Sequence, residues 1–211
     1  MINLFIDTSS NRIVLAIVEN NNVLSCINEK NDTTLSDRIF PLIMQLFTDA
    51  NKNIKNISKI YVVNGPGSFT GIRVGVTIAK TIAWTLEIPV IPVSSLEVMA
   101  TTKYDGDYLI PYIDARREFV FAGIYDMNLN IIVEDSHIRL SELIKKIPKN
   151  SKCSLVGYDE IKSPLSMIKP EIDLIRVIDK HKEDVGINPH TLIPNYLKLT
   201  EAEENLKKVI S

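Results

Sequence analysis

Residues 64–75, Asn-Gly-Pro-Gly-Ser-Phe-Thr-Gly-Ile-Arg-Val-Gly, hold four of the chain's eight glycines and follow an apolar, β-branched run, Ile60-Tyr61-Val62-Val63. Strand, glycine-rich turn and helix in that order usually suggest phosphate binding at a helix N-terminus, where unpaired N–H groups meet a favourable dipole. The spacing argues otherwise. It matches neither G-x-x-x-x-G-K-[ST] nor G-x-G-x-x-G, and Ile72 follows Gly71 where a P-loop needs Lys. His137, His181 and His190 are the only histidines, and no two lie one helical turn apart, so no pair presents two imidazoles on one helix face. Ser9, Ser10, Ser68, Ser94 and Ser95 read as turn or cap residues with no nearby His to act as base. Cys26 and Cys153 lie in strand-like stretches and read as small buried hydrophobes in a reducing compartment, although sequence leaves a bridge open.

Two helices position whatever this segment does. Gly65, Pro66 and Gly67 make the turn, and Ser68 or Thr70 can cap a helix running to about Leu86. Gly71, Gly75, Ala79 and Ala83 recur every four residues, forming a ridge smooth enough for another helix to approach closely. Ile72, Val76, Ile78, Ile82 and Leu86 spread around the remaining surface, with only Lys80 and Glu87 charged after Arg73. A helix so apolar is covered on several sides, either as a central core helix or with one side against a second chain. An earlier helix, expected over about 36–49 with Ser36 as cap, places Ile39, Leu42, Ile43 and Leu46 on one face. Pro41 lies awkwardly deep in it, predicting a kink or a later first turn. Arg73, where the dipole disfavours a cation, either bonds nearby backbone or meets a partner or a phosphate. Phe69 reads as a core anchor or part of a hinge, and Arg116 and Arg117 as hairpin-turn residues.

Around these helices the chain is an α/β molecule that repeats itself. Asn3–Asp7, Ile13–Glu19 and Val23–Glu29 form an antiparallel meander with Asn- and Ser-rich turns. Displaced by 107 residues, Tyr112-Ile113-Asp114 aligns with Phe5-Ile6-Asp7 and Gly123-Ile124-Tyr125-Asp126 with Ala16-Ile17-Val18-Glu19. The repeat predicts two lobes of duplicated β-β-β-α-β-α units, over about 1–103 and 104–190, with a tail (191–211) rejoining the first lobe. Ser94-Ser95-Leu96-Glu97 caps a short helix, and Thr200–Lys208 reads as a solvated helix. With 45% hydrophobic residues and a formal net charge of −2, the chain can bury one or two modest cores and carries no basic footprint for nucleic acid. The N-terminus has no basic segment and reaches Asp7 quickly, and no apolar run is long enough to span a bilayer; a cytoplasmic location and no membrane partner are expected.

Two β-meander lobes, each opening with a strand that ends in Asp, resemble the actin/Hsp70/sugar-kinase superfamily of ribonuclease H-like folds, whose paired aspartates embrace nucleotide phosphates and magnesium. A closer resemblance lies in Gly65-Pro66-Gly67-Ser68-Phe69-Thr70-Gly71-Ile72-Arg73 and Val93-Ser94-Ser95-Leu96-Glu97. Ile6-Asp7-Thr8-Ser9, Ile113-Asp114-Ala115-Arg116-Arg117 and Pro194-Asn195-Tyr196-Leu197-Lys198 extend it over nearly the whole chain. These segments resemble the bacterial TsaB (YeaZ) family.

That resemblance implies a non-catalytic subunit of the machinery that makes threonylcarbamoyladenosine beside the anticodon of tRNAs reading codons that begin with A. The paralogue TsaD, which carries the metal, transfers the group from threonylcarbamoyl-adenylate, and the ATPase TsaE sustains turnover. The family pairs with TsaD, or with a second copy, through helices of the first lobe, and meets tRNA only within the complex. The expected interface is Leu35, Ile39, Leu42, Ile43, Leu46, Gly71, Arg73, Gly75, Ala79 and Ala83. Relatives often carry His-Ser-Glu where this chain has Leu35-Ser36-Asp37, which weakens any metal role, and no metal is expected. No catalytic residue and no tightly held cofactor are expected. Asp7, Thr8, Ser9 and Asp114 form the remnant of a nucleotide site, leaving weak ATP or ADP binding at the partner interface open. A stand-alone ATPase or kinase of the same superfamily is the alternative, with a glycoprotease-like peptidase more remote.

Overall fold

Strands β1 (Ile2–Asp7), β2 (Arg12–Glu19) and β3 (Asn22–Lys30) form the meander expected from the sequence. Asn20 and Asn21, at φ of 50° and 60°, make its second turn in the left-handed conformation that Asn tolerates best. The structure, a computed structural model, describes residues 1–31 and 34–198; the helix expected over 200–208 lies outside the described residues. β4 (Ile57–Gly65) and β5 (Val90–Ser94) join β1 in parallel, giving a five-stranded sheet of order β3-β2-β1-β4-β5. Helices α1 (Leu35–Asp49) and α2 (Phe69–Leu86) cover one face of it. Helix α1 begins at Leu35, so Ser36 is inside it rather than capping it, and Pro41 sits on its exposed side.

The second lobe repeats the plan with less material. β6 (Tyr108–Asp114), β7 (Phe119–Asp126), β8 (Ile131–Arg139), β9 (Cys153–Val156) and β10 (Met167–Ile168) form a sheet of order β10-β9-β6-β7-β8. Helix α4 (Leu140–Ile144) precedes β9, but residues 157–166 join β9 to β10 without a helix, so the second copy of the unit is incomplete.

Between the lobes lies α3 (Ser95–Ala100), capped by Ser94, whose Oγ accepts from Leu96 N at 3.1 Å. Val98 packs into the first sheet's second face, whereas Leu96, Met99 and Ala100 pack against Leu109, Tyr125, Leu129 and Val156 of the second sheet. The Ser94 and Tyr125 hydroxyls both donate to the Asp135 carboxylate across this joint, and burial raises the pKa of that acid. Helix α5 (Leu174–Lys180) lies on the first sheet, with Leu174, Val177 and Ile178 in the same cluster as Phe5, Val63 and Val98. The chain therefore returns to the first lobe well before residue 191, where the sequence reading placed the boundary. A short amphipathic segment shows which of its faces is apolar, not which sheet receives it. Cys26 is a free thiol on the exposed side of edge strand β3, and Cys153 is free and half-buried; the burial expected of both came from reading strand-like patches without knowing the edge.

His181, just beyond α5, ties this return to α3. Its Nδ1 lies 2.8 Å from Asp184 Oδ2 and its Nε2 3.0 Å from Glu97 Oε1. Two ionised carboxylates only accept, so the imidazolium is the form that donates at both nitrogens. The hydrogen bond to Glu97, and then the charges of Glu97 and Asp184, hold the His181 pKa above its usual value despite burial. A raised folded pKa means the stabilisation is complete below the unfolded value of about 6.5 and is lost as pH rises through the folded value. Denaturant melts across that window are expected to show stability falling with rising pH, and His181→Gln is expected to flatten the curve.

Candidate functional site

The glycine ridge is filled from within the chain. Ser68 caps α2, its Oγ accepting from Gly71 N at 3.2 Å. A Cβ on Gly67 would sit 2.2 Å from the Ser9 carbonyl oxygen, one on Gly71 2.0 Å from the Thr8 carbonyl oxygen, and one on Gly75 2.4 Å from Thr8 Oγ1. Those distances leave room for hydrogen alone. Ser68 N donates to Ser9 O and Thr8 Oγ1 donates to Gly71 O, each at 2.7 Å, so the turn after β1 is bolted into the groove of α2. Ala79 and Ala83 are fully buried in the first-lobe core. These four residues therefore do not form an exposed interface, correcting the expectation. Leu35, Ile39, Ile43 and Leu46 of α1 are likewise core residues, and Leu42 is half-buried against the same core. Spacing identified a face of each helix; it could not say that the chain's own sheet covers it.

The two aspartates are separated in role. Asp7 is buried, and its Oδ1 accepts from Ser9 N at 2.8 Å and Ser9 Oγ at 2.7 Å; desolvation raises its pKa despite those bonds. It borders an interlobe cavity of about 40 Å³ that Ser95, Met99, Ile113 and Tyr158 also line. Asp114 is exposed and accepts from Arg116 N at 2.9 Å at the β6–β7 turn, where Arg116, Arg117 and Glu118 all take positive φ. It lines a different, larger cavity of about 560 Å³ floored by Val120, Leu140, Ile144 and Ile161. Thr8 and Ser9 stay with Asp7; Asp114 does not join them around one cavity. Among the described residues no cluster of three or more metal-ligating side chains occurs.

What the helices leave open is another set. Phe40 and Met44 on α1 are 51% and 59% exposed, and Phe69 and Trp84 on α2 are 48% and 62% exposed. Arg73, the one predicted interface residue that is exposed, lies between Phe69 and Trp84 on α2. The Thr81 and Thr85 hydroxyls donate back to the Thr77 and Thr81 carbonyls, which softens the polarity of the strip between. Phe40 and Met44 were detectable in sequence as large apolar residues off the Ile39–Ile43–Leu46 stripe.

A family model described as "TsaD: tRNA N6-adenosine threonylcarbamoyltransferase" matches residues 27–181. The Bacillus subtilis (strain 168) protein named "tRNA threonylcarbamoyladenosine biosynthesis protein TsaB" is 33% identical, over 95% of each chain. This chain belongs to the TsaB family. Two solved Pseudomonas aeruginosa structures share its fold. One, titled "YeaZ from Pseudomonas aeruginosa", has a TM-score of 0.75 at 20% identity; the other, an uncharacterized protein with similarity to peptidase YEAZ, has 0.81 at 19%. Each spans 93% of this chain and 99% of its own. The two-lobed architecture of this TsaB-family chain is thus the fold that the sequence resemblance implied, and no helix among the described residues is long and apolar enough to cross a membrane.

Because the ridge is internal, substitutions there act on folding. Gly71→Ala and Gly75→Leu are expected to destabilise the TsaB-family fold by at least about 2 kcal/mol, whereas Trp84→Ala on the exposed strip is expected to change it by less than about 0.5 kcal/mol, read by chemical denaturation. Asp7→Asn keeps an acceptor for Ser9 while removing a buried charge, so melting at neutral pH is expected to be unchanged or raised.

Proposed function

We propose that this chain is a non-catalytic subunit in tRNA threonylcarbamoyladenosine biosynthesis that works by docking the TsaD paralogue on the outer faces of α1 and α2. The carrying observation is the set of large apolar side chains exposed there, Phe40, Met44, Phe69 and Trp84. Side chains of this size and type, exposed on a helical layer, are what protein interfaces bury at their centres. Family membership supports the pathway, since the relative matched over 95% of each chain carries the biosynthesis protein's name. In this reading TsaD, supplied with threonylcarbamoyl-adenylate, performs the transfer, TsaE sustains turnover, and tRNA meets this chain only within the assembly. A second copy of the chain competes for the same face. The setting is the cytoplasm, where the tRNA is.

In this reading the interlobe joint beside Asp7 holds no substrate, because it is too small for one. Small-molecule sites occupy roughly 300–1,000 Å³, whereas the cavity beside Asp7 is about 40 Å³. The Asp7 carboxylate already serves its own turn. Any ATP or ADP associated with this protein is proposed to bind weakly and at the partner interface rather than in that joint.

Reconstitution of tRNA modification from TsaD, TsaE, tRNA and separately supplied threonylcarbamoyl-adenylate tests the proposal. Modification is expected to depend on this chain, and Trp84→Glu or Met44→Glu is expected to remove both TsaD binding and modification while leaving the melting temperature intact. Full modification without the chain, or undiminished binding by both variants, would sink the reading. ATP turnover by the pure protein at enzyme-like rates would replace it with the kinase alternative.

A further inference from the structure

The second turn of α2 opens with a cation held by several contacts. Arg73 Nε donates to the Tyr196 hydroxyl at 2.7 Å, and the guanidinium carbon lies 3.9 Å from the Phe69 ring centroid. The Phe69 and Tyr196 rings stack with centroids 4.9 Å apart. Tyr196 is itself anchored, because Asn195 N donates to Asn64 O at 2.7 Å and the Asn64 amide donates to Ile193 O at 3.1 Å. One edge of the guanidinium and one of its faces are therefore occupied. Among the described residues nothing accepts a hydrogen bond from either Nη atom, and the residue is exposed. Lys80, the other cation along this helix, donates instead to the His190 and Leu192 carbonyls.

A planar fork with two outward N–H₂ groups is the geometry that binds a carboxylate or phosphate through two parallel hydrogen bonds. Stacking has already removed most of the rotamer freedom that such a bond would otherwise cost. The position adds to this. An arginine one turn into an 18-residue helix lies near its positive end, so an anion brought to it is attracted by the guanidinium and, more weakly, by the dipole. The surroundings choose between the two kinds of anion. A nucleic-acid backbone is held by several cations spread along it, whereas here, among the described residues of α2, one free fork rests on Phe69 and Tyr196 on a strip that continues through Thr77 toward Trp84, a setting suited to a single protein carboxylate being desolvated as an interface closes.

Resting on the docking reading given above, we propose that Arg73 is the specificity anchor of the α2 face and that the TsaD partner presents an Asp or Glu carboxylate to its two Nη atoms. Tyr196 acts as a positioning residue, transmitting the fold of the returning C-terminal segment to the interface.

Calorimetric titration of TsaD into Arg73→Gln, Arg73→Lys, Tyr196→Phe and Trp84→Glu proteins tests this, with circular dichroism to verify the fold. Arg73→Gln is expected to weaken binding by about tenfold or more. Arg73→Lys is expected to regain only part of that, since it keeps the charge without the fork. Tyr196→Phe is expected to fall between wild type and Arg73→Gln. If Arg73→Gln binds within about twofold of wild type while Trp84→Glu abolishes binding, the anchor is refuted and the docking face survives. If Trp84→Glu also binds like wild type, the docking reading itself fails. If Arg73→Gln leaves TsaD affinity intact but reduces tRNA retention by the assembled complex in filter binding, the carboxylate is refuted in favour of a phosphate.

Discussion

The turn after β1 sits so deep in the groove of α2 that a single added carbon at Gly71 would lie 2.0 Å from the Thr8 carbonyl oxygen. Two hydrogen bonds, Ser68 N to Ser9 O and Thr8 Oγ1 to Gly71 O, hold the turn there. This contact sets the rotation of α2 about its own axis. With Gly71, Gly75, Ala79 and Ala83 turned inward, the helical period places Phe69, Arg73, Thr77 and Trp84 outward. The exposed strip is thus a consequence of an internal packing requirement. The same contact draws Asp7 into its own turn, where the Ser9 amide and hydroxyl occupy one of its oxygens.

The lobes are joined as firmly as the helix is seated. Helix α3 contributes Val98 to one lobe's cluster and Leu96, Met99 and Ala100 to the other's. Around it, Arg176 of α5 donates to the Thr101 and Met127 carbonyls at 2.8 and 2.6 Å, spanning the junction from behind. Apolar side chains and paired polar groups fill the joint, leaving a cavity of about 40 Å³ beside Asp7. The returning segment then runs back along α2. Its Ile187 pairs with Val90, its His190 and Leu192 carbonyls accept from Lys80, and its Tyr196 ends on Arg73. This segment lines one flank of α2 and reaches the outward strip itself, Tyr196 against Phe69 and Arg73 and His190 against the edge of Trp84, while Phe69 and Trp84 stay exposed.

Much of this was legible residue by residue. The glycine-rich turn, the Ser68 and Ser94 caps, the Asn20-Asn21 turn and the strand run Ile60–Val63 follow from φ preferences, side-chain acceptors and β-branching, all local properties. The repeat between the Asp7 and Asp114 hairpins was readable because strand order and turn length are written in one dimension. Helix α5 was readable as a helix, yet its docking onto the first sheet was not, since seven residues encode an apolar stripe without an address. The exposure of Cys26 was missed for a related reason: pairing order decides which strand is the edge.

The sequence alone determined the units, namely which segments are strands or helices, where they are capped, that the plan occurs twice, and that α2 must pack something against a bare ridge. Only the tertiary structure decided what fills that ridge, that Asp7 and Asp114 border different cavities, and that Phe40, Met44 and Trp84 rather than the core stripe face outward. The physical reason is that helical periodicity fixes relative angles among side chains but leaves the absolute orientation of the helix free. That last angle is set by long-range contacts, here between Thr8 and Gly71, across 63 positions of chain.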